Sequence, residues 1–213
     1  MLKLSKRQLV AFTRFTRRSC TMTIVLENIC KSINGRNVLN NFNISIEWDR
    51  IYVFVGPEGC GNSEVLKIFM EMDQPDSGHV KKMGDYKYPT LHSAYVPHDC
   101  CLNLNKNAIW NVKVVHKWIG KSGVIEKLSK LIPAEKIKLP TAELTEAERR
   151  AVEIVKASFV PADFIVLDHP FRGMDEAQRK AAIDFLLDMR GSRPLLIATD
   201  DATDLEIDRV VKM

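Results

Sequence analysis

The period of the apolar positions changes along this chain, and the change predicts its architecture. From Thr23 to Asn28, and through Phe42-Asn-Ile-Ser-Ile-Glu-Trp48, the residues read as strands, the second alternating apolar and polar as a strand with one buried face does. Asn34-Gly35 between them is a hairpin signal, so the front of the chain is expected to form an antiparallel lobe. Ile51–Val55, Phe164–Leu167 and Pro194–Ala198 are instead unbroken apolar runs, as strands covered on both faces are. Shorter strands are expected at Ala94–Val96, closed by Pro97, and at Arg209–Lys212. Helices are expected over 63–72, over most of 105–132 with a break at Gly120–Gly123, over 144–159, and from an Asp175 cap to Arg190. Thr145-Glu-Ala-Glu148 carries the Thr-x-x-Glu capping pattern, and Pro75-Asp76-Ser77-Gly78 reads as a turn. Strand and helix alternate through the second half, which predicts an α/β fold with a parallel sheet.

Composition narrows this little. At 213 residues, 46% apolar and 27% charged, the chain is ordinary for a single globular domain. Its charge is uneven. Residues 1–20 hold Lys3, Lys6, Arg7, Arg14, Arg17 and Arg18 and no acid, while the remainder is slightly acidic. The body is therefore not a basic nucleic-acid surface. Residues 1–21 read as a basic arm, a targeting-like leader, or a stretch preceding a start at Met22. The odd cysteine count shows no disulfide framework and suits a reducing, cytoplasmic setting, and no run is long enough to span a bilayer.

The chemistry begins at Gly56-Pro57-Glu58-Gly59-Cys60-Gly61-Asn62-Ser63. A strand leads in and a helix leads out, the order a triphosphate-cradling loop requires, but Asn62 stands where the motif has its lysine. The loop amides and the following helix N-terminus can still attract an anion. Asn62 can donate a hydrogen bond but brings no charge.

Other landmarks follow in fixed order. Gly78 falls at an SGx turn; Tyr95-Val-Pro-His98 is a strand running into a loop; Leu144-Thr-Glu-Ala-Glu148-Arg-Arg150 opens a helix. Phe164–Phe171 contains Asp168 and Pro170, Gly173-Met-Asp175 follows, and Ala198-Thr-Asp-Asp201 and Asp208-Arg-Val-Val close the series. Across about 22–213 the chain resembles the nucleotide-binding domain of ATP-binding cassette (ABC) proteins. The resemblance implies a P-loop NTPase fold of ABC type, with a mixed or parallel sheet core, an antiparallel β lobe and a short helical lobe at about 99–158. It implies ATP and Mg²⁺ as ligands. Gly56, Glu58, Gly59, Cys60, Gly61, Asn62, Ser63 and Glu64 would face the nucleotide, and Ser63 and Asp168 the magnesium. Its partner would be a second cassette or a membrane-embedded transporter subunit.

The departures from that family pattern all fall on working positions. Asn62 replaces the lysine, His169 the catalytic glutamate, His98 the Q-loop glutamine, Asp200 the switch histidine, and Ile33 the adenine-stacking aromatic. In the LSGGQ-type segment, Glu146 and Ala147 replace two glycines, so Glu146 would bring a carboxylate towards a partner's triphosphate. The expectation is a transporter-associated ATP-binding subunit with weak or no hydrolysis. A non-catalytic regulatory module and a weak ATPase using unusual groups are the alternatives. His98, Asp168, His169 and Asp200 would also converge near the γ-phosphate position, a donor set that suits a transition metal. Cys100-Cys101 is expected to be a buried pair, Trp110 and Trp118 one packing face of a helix, and Lys127–Lys138 a solvated charged face.

Overall fold

The computed structural model describes residues 23–83, 91–115, 118–203 and 208–213. The basic arm expected over 1–21 lies outside the described residues.

Two sheets organise the molecule. β1 (Thr23–Ile33) and β2 (Arg36–Glu47) form the expected hairpin, with Asn34 and Gly35 both at positive φ, as a two-residue turn of this hand requires. β4 (Ser77–Met83) adds antiparallel to the other side of β1, giving the order β2-β1-β4. The second sheet is wholly parallel in the order β5-β6-β7-β3-β8. Its strands are β3 (Ile51–Val55), β5 (Ser93–Val96), β6 (Phe164–Asp168), β7 (Leu195–Thr199) and β8 (Arg209–Lys212).

The unbroken apolar runs are explained by what covers each face. Ile165, Leu167, Leu195 and Ile197 point into a core completed by α2 (Ala108–Lys113), α3 (Lys121–Leu128), α4 (Glu146–Ser158) and α5 (Glu176–Arg190). Phe164, Val166, Leu196 and Ala198 point the other way, into a core shared with α1 (Asn62–Phe69) and the antiparallel sheet. A sheet buried on both faces cannot alternate, so β6 and β7 are apolar throughout.

Both capping boxes form. Thr145 and Glu148 bond reciprocally at the start of α4, and Asp175 and Gln178 at the start of α5. Several expectations are corrected. Ser77 and Gly78 belong to β4 rather than to a turn, and a Cβ on Gly78 would lie 2.4 Å from the carbonyl oxygen of Asn28, so the close approach of β4 to β1 needs glycine. Gly120 precedes α3, but Gly123 lies within it. Trp110 and Trp118 do not pack inward: they are 43% and 88% exposed, because α2 ends before the second is reached. Cys100 and Cys101 are exposed, not buried. The run 127–138 is only partly solvated, since Lys127 lies 4.5 Å over the Phe159 ring and Lys136 pairs with Glu148 at 2.7 Å.

Candidate functional site

The glycine loop joins β3 to α1 at the C-terminal edge of the parallel sheet. Gly61 caps α1 with φ 102°, and a Cβ there would meet the Val38 carbonyl oxygen at 2.7 Å and Leu39 Cδ2 at 2.8 Å. Only glycine lets the loop pass this close to β2. The loop braces itself through a bond from the Cys60 N–H to the Pro57 carbonyl at 3.0 Å. Among the described residues, the N–H groups of Glu58, Gly59 and Gly61 donate to no acceptor.

Asn62 is the singular residue of the loop. It is 2% exposed, its Oδ1 accepts the Ser63 N–H at 2.8 Å, and its Nδ2 is buried without a partner among the described residues. An unmet buried donor costs about 1–3 kcal/mol. These free donors at a helix N-terminus fit a phosphate oxygen, although the neutral amide cannot supply the lysine's charge. Glu64, by contrast, turns to Lys67 at 3.5 Å.

A chain of charged side chains runs on from the loop. Ser63 Oγ donates to Asp168 Oδ1 at 2.8 Å, an arrangement that fits shared magnesium ligation. His169 Nδ1 lies 2.9 Å from the same Asp168 oxygen, and its Nε2 lies 3.1 Å from Asp200 Oδ1. Asp168 is wholly buried. Burial pushes its carboxyl up, but the bonds from His169 and Ser63 outweigh this and hold it below the ordinary carboxylate range. The bond to Asp168, working against burial and aided by Asp200, lifts His169 above the ordinary imidazole value. An imidazolium between two carboxylates donates from both nitrogens. Tyr95, pushed well above the usual phenol range by burial and then by Asp168, stays neutral, with its hydroxyl 3.5 Å from that carboxylate.

Asp200 is positioned from behind. Arg179 on α5 donates to the carbonyls of Asp201 at 2.8 Å and Thr203 at 2.9 Å, while its guanidinium lies 5.3 Å from the Phe171 ring. His98 stacks edge-on against His169 with ring centres 5.1 Å apart. The result is an open cleft of about 360 Å³ lined by Glu58, His98, His169, Arg172, Arg179 and Asp200, among others. The expected set His98, Asp168, His169 and Asp200 does gather here, but it is held by hydrogen bonds. Among the described residues no group of three or more His, Cys, Asp or Glu side chains is arranged to hold a metal ion.

A second cleft of about 170 Å³ adjoins it, with His98, Asp99, Cys100, Glu146, Arg149 and Arg172 on its walls. Here Arg172 Nε meets the Glu146 carboxylate at 3.2 Å, so Glu146 is paired within its own chain. Deeper in, Arg150 and Glu153 form a buried pair at 2.9 Å. Arg150 also donates to the carbonyls of Pro97, at 2.7 Å, and His98; Glu153 accepts the Cys101 N–H at 2.7 Å. The loop carrying His98 is thereby tied to α4.

Tyr95, Glu153, Arg172 and Arg179 carry this geometry without having stood out as functional residues in the sequence. Tyr95 lies within the Tyr95–His98 run and Arg172 between two motif runs, whereas Arg179 sits on a plain helical face. Ile33, expected at the position of the family's stacking aromatic, is 38% exposed.

A glycine loop between a parallel strand and a helix, with a buried aspartate on the neighbouring strand bonded to the loop serine, defines a P-loop nucleotide-binding domain. Residues 39–172 match the family model described as ABC transporter, and the chain belongs to that family. It is 32% identical over 158 residues to the zinc import ATP-binding protein ZnuC 1 of Aliivibrio fischeri, covering 73% of this chain and 59% of that protein. It is 26% identical over 194 residues to the sulfate/thiosulfate import ATP-binding protein CysA of Mesostigma viride, covering 84% and 55%. The chain thus spans somewhat more than half the length of these relatives. Among solved structures, a putative ABC transporter ATP-binding protein of Pyrococcus furiosus superposes with a TM-score of 0.75 at 17% identity, over 89% of this chain and 96% of that one. A bacterial Atm1-family ABC exporter with ATP bound gives 0.75 at 14% identity, over 91% and 37%. These likenesses carry the fold alone.

Proposed function

We propose that residues 22–213 form an ABC-type nucleotide-binding domain that serves a transporter assembly, binds Mg-nucleotide weakly and is defective in hydrolysis. The loop from Gly56 to Glu64 would hold the phosphates, and Ser63 and Asp168 the Mg²⁺, which when bound supplies charge neutralisation across them. The domain would act from the cytoplasmic face, through another cassette or a membrane-embedded subunit.

The observation that carries this reading is the bonding of His169. A general base needs a free lone pair, and both ring nitrogens of His169, at the family's catalytic glutamate position, are engaged by carboxylates, Nδ1 2.9 Å from Asp168 and Nε2 3.1 Å from Asp200. Asp200, at the switch position, is engaged in the same contact. Loss of a positioned base costs about 10²–10⁴ in rate. The pairing of Glu146 with Arg172 supports a second reading, a regulatory module with no transport role, because the signature-like segment is then engaged within its own chain instead of facing a partner's nucleotide.

Calorimetric titration with Mg-ATP and a phosphate-release assay test the proposal. Weak binding without release above background is expected. Asn62→Lys, which exchanges a neutral for a charge-assisted bond, should tighten binding by about five- to tenfold. Rapid Mg²⁺-dependent release that Asp168→Ala abolishes would refute it.

A further inference from the structure

The glycine loop and the cleft beside it differ in charge. The donors that the loop leaves free are neutral: the N–H groups of Glu58, Gly59 and Gly61, and the Asn62 amide. A phosphate seated on them at the start of α1 is favoured by the helix N-terminus. The cleft of about 360 Å³ opens next to the loop, with Glu58 common to both, so a phosphate chain that outruns the loop enters the cleft. There the cations are already committed. Arg172 Nε lies 3.2 Å from the Glu146 carboxylate. Arg179 donates to the carbonyls of Asp201 and Thr203, lies 3.6 Å from the Asp201 carboxylate, and is only 17% exposed. His98 stands 3.4 Å from Asp99, and both ring nitrogens of His169 are engaged by Asp168 and Asp200. The acids are less balanced. Glu58 is exposed and has no ion-pair partner among the described residues, and the Asp200 side chain is 67% exposed.

Resting on the nucleotide-binding reading above, we infer that the charges of this cleft make the site prefer a nucleoside diphosphate to the triphosphate. A triphosphate carries more negative charge than a diphosphate, with Mg²⁺ or without. Its third phosphate would face Glu58 and Asp200 with no uncommitted cation to meet it, and like charges brought together in a partly enclosed site repel. An arginine that turned to it would give up an existing partner. Arg172 would release Glu146, and Arg179 would release the carbonyls that hold the loop bearing Asp200. A diphosphate ends on the neutral donors of the loop and needs neither exchange.

Calorimetric titration of the full chain with ADP and with ATP, at the same free Mg²⁺, tests this. ADP is expected to bind about fivefold or more tighter than ATP. Glu58→Gln removes one carboxylate from the cleft at an exposed side chain that makes no ion pair among the described residues. It should tighten ATP by about threefold and move ADP by less. The preference should also shrink as salt is raised from about 0.1 M to about 1 M, where the screening length falls from about 10 Å to about 3 Å. Equal affinities, or tighter binding of ATP, overturn the inference and leave the nucleotide-binding reading standing. A preference for ADP that survives both Glu58→Gln and high salt unchanged overturns it as well, because the third phosphate is then refused by shape and not by charge. Binding of neither nucleotide overturns the nucleotide-binding reading itself, and this inference with it.

Discussion

Arg150→Met should be among the most damaging single substitutions outside the glycine loop, and its cost can be worked from the contacts. The Arg150 and Glu153 side chains are 4% and 3% exposed, and they lie 2.9 Å apart. Arg150 also serves the carbonyls of Pro97 and His98. Removing the guanidinium leaves a buried carboxylate whose remaining partner is the Cys101 N–H. Breaking a buried pair from one side costs about 3–5 kcal/mol. For a domain of this size that lowers Tm by about 6–20 °C. Arg150→Met with Glu153→Met removes both charges and should recover part of the loss, with a coupling of about 0.5–3 kcal/mol. The pH dependence gives an independent check. Burial raises the Glu153 carboxyl above its ordinary range, so the folded state binds its proton more tightly than the unfolded state does. That contribution favours folding at acid pH and is lost as pH rises through the raised value. Without Arg150 the group is raised further, and the deficit of Arg150→Met should shrink as pH falls towards about 5. Urea denaturation followed by circular dichroism at several pH values measures all of this. A single variant within about 1 kcal/mol of the parent, or a double variant as damaged as the sum of its parts, would refute the reasoning.

Two further predictions rest on the loop and the charged chain beside it. Gly59→Ala and Gly61→Ala both place alanine at positive φ, but only Gly61 also meets backbone and side chain at 2.7 and 2.8 Å; thermal melts should show a loss of about 1 kcal/mol for the first and at least about 2 kcal/mol for the second. His169 titrates above its ordinary value through Asp168 and Asp200, so its stabilising contribution is complete below about pH 6.5 and fades as pH rises through the lifted value. The stability advantage of the parent over His169→Gln, read from urea midpoints, should therefore be larger at pH 6 than at alkaline pH, and an advantage independent of pH would mean that the imidazolium is not what Asp168 and Asp200 hold.

Much of this fold could be read from the chain because its strongest signals are periodic. β6 and β7 sit between two cores, so their unbroken apolar runs had one structural meaning. β4 was misread because Ser77–Met83 is an exposed edge strand whose polar residues carry no core signal; pairing with β1 alone makes it a strand. The aromatic spacing of Trp110 and Trp118 suggested a packed face because it assumed a continuous helix, and α2 is six residues long. The exposure of Cys100-Cys101 escaped the composition-based expectation because the buried Arg150–Glu153 pair holds the backbone beside them, leaving their side chains outside. The site was legible as an ordered series of motifs, but not as a network. Nothing in the order of residues says that His169 will bond two aspartates, or that Arg172 will take the Glu146 carboxylate.

The network couples the two departures at positions 169 and 200 to the retained Asp168. Taken singly, His169 and Asp200 are two separate differences from the family pattern. In space they form one arrangement, an imidazole seated between two carboxylates, with Asp168 bonded to the glycine-loop serine and the loop bearing Asp200 tied to α5 by Arg179. Restoring a glutamate at 169 alone would put a third carboxylate against Asp168 and Asp200 and take away the charge that balances them. Restoring a histidine at 200 alone would set two imidazoles against each other and leave His169 with Asp168 as its one carboxylate partner. Either single change is electrostatically worse than the present set, so the residues at 169 and 200 act as a unit. The glycine loop and the sheet hold these groups where they satisfy one another.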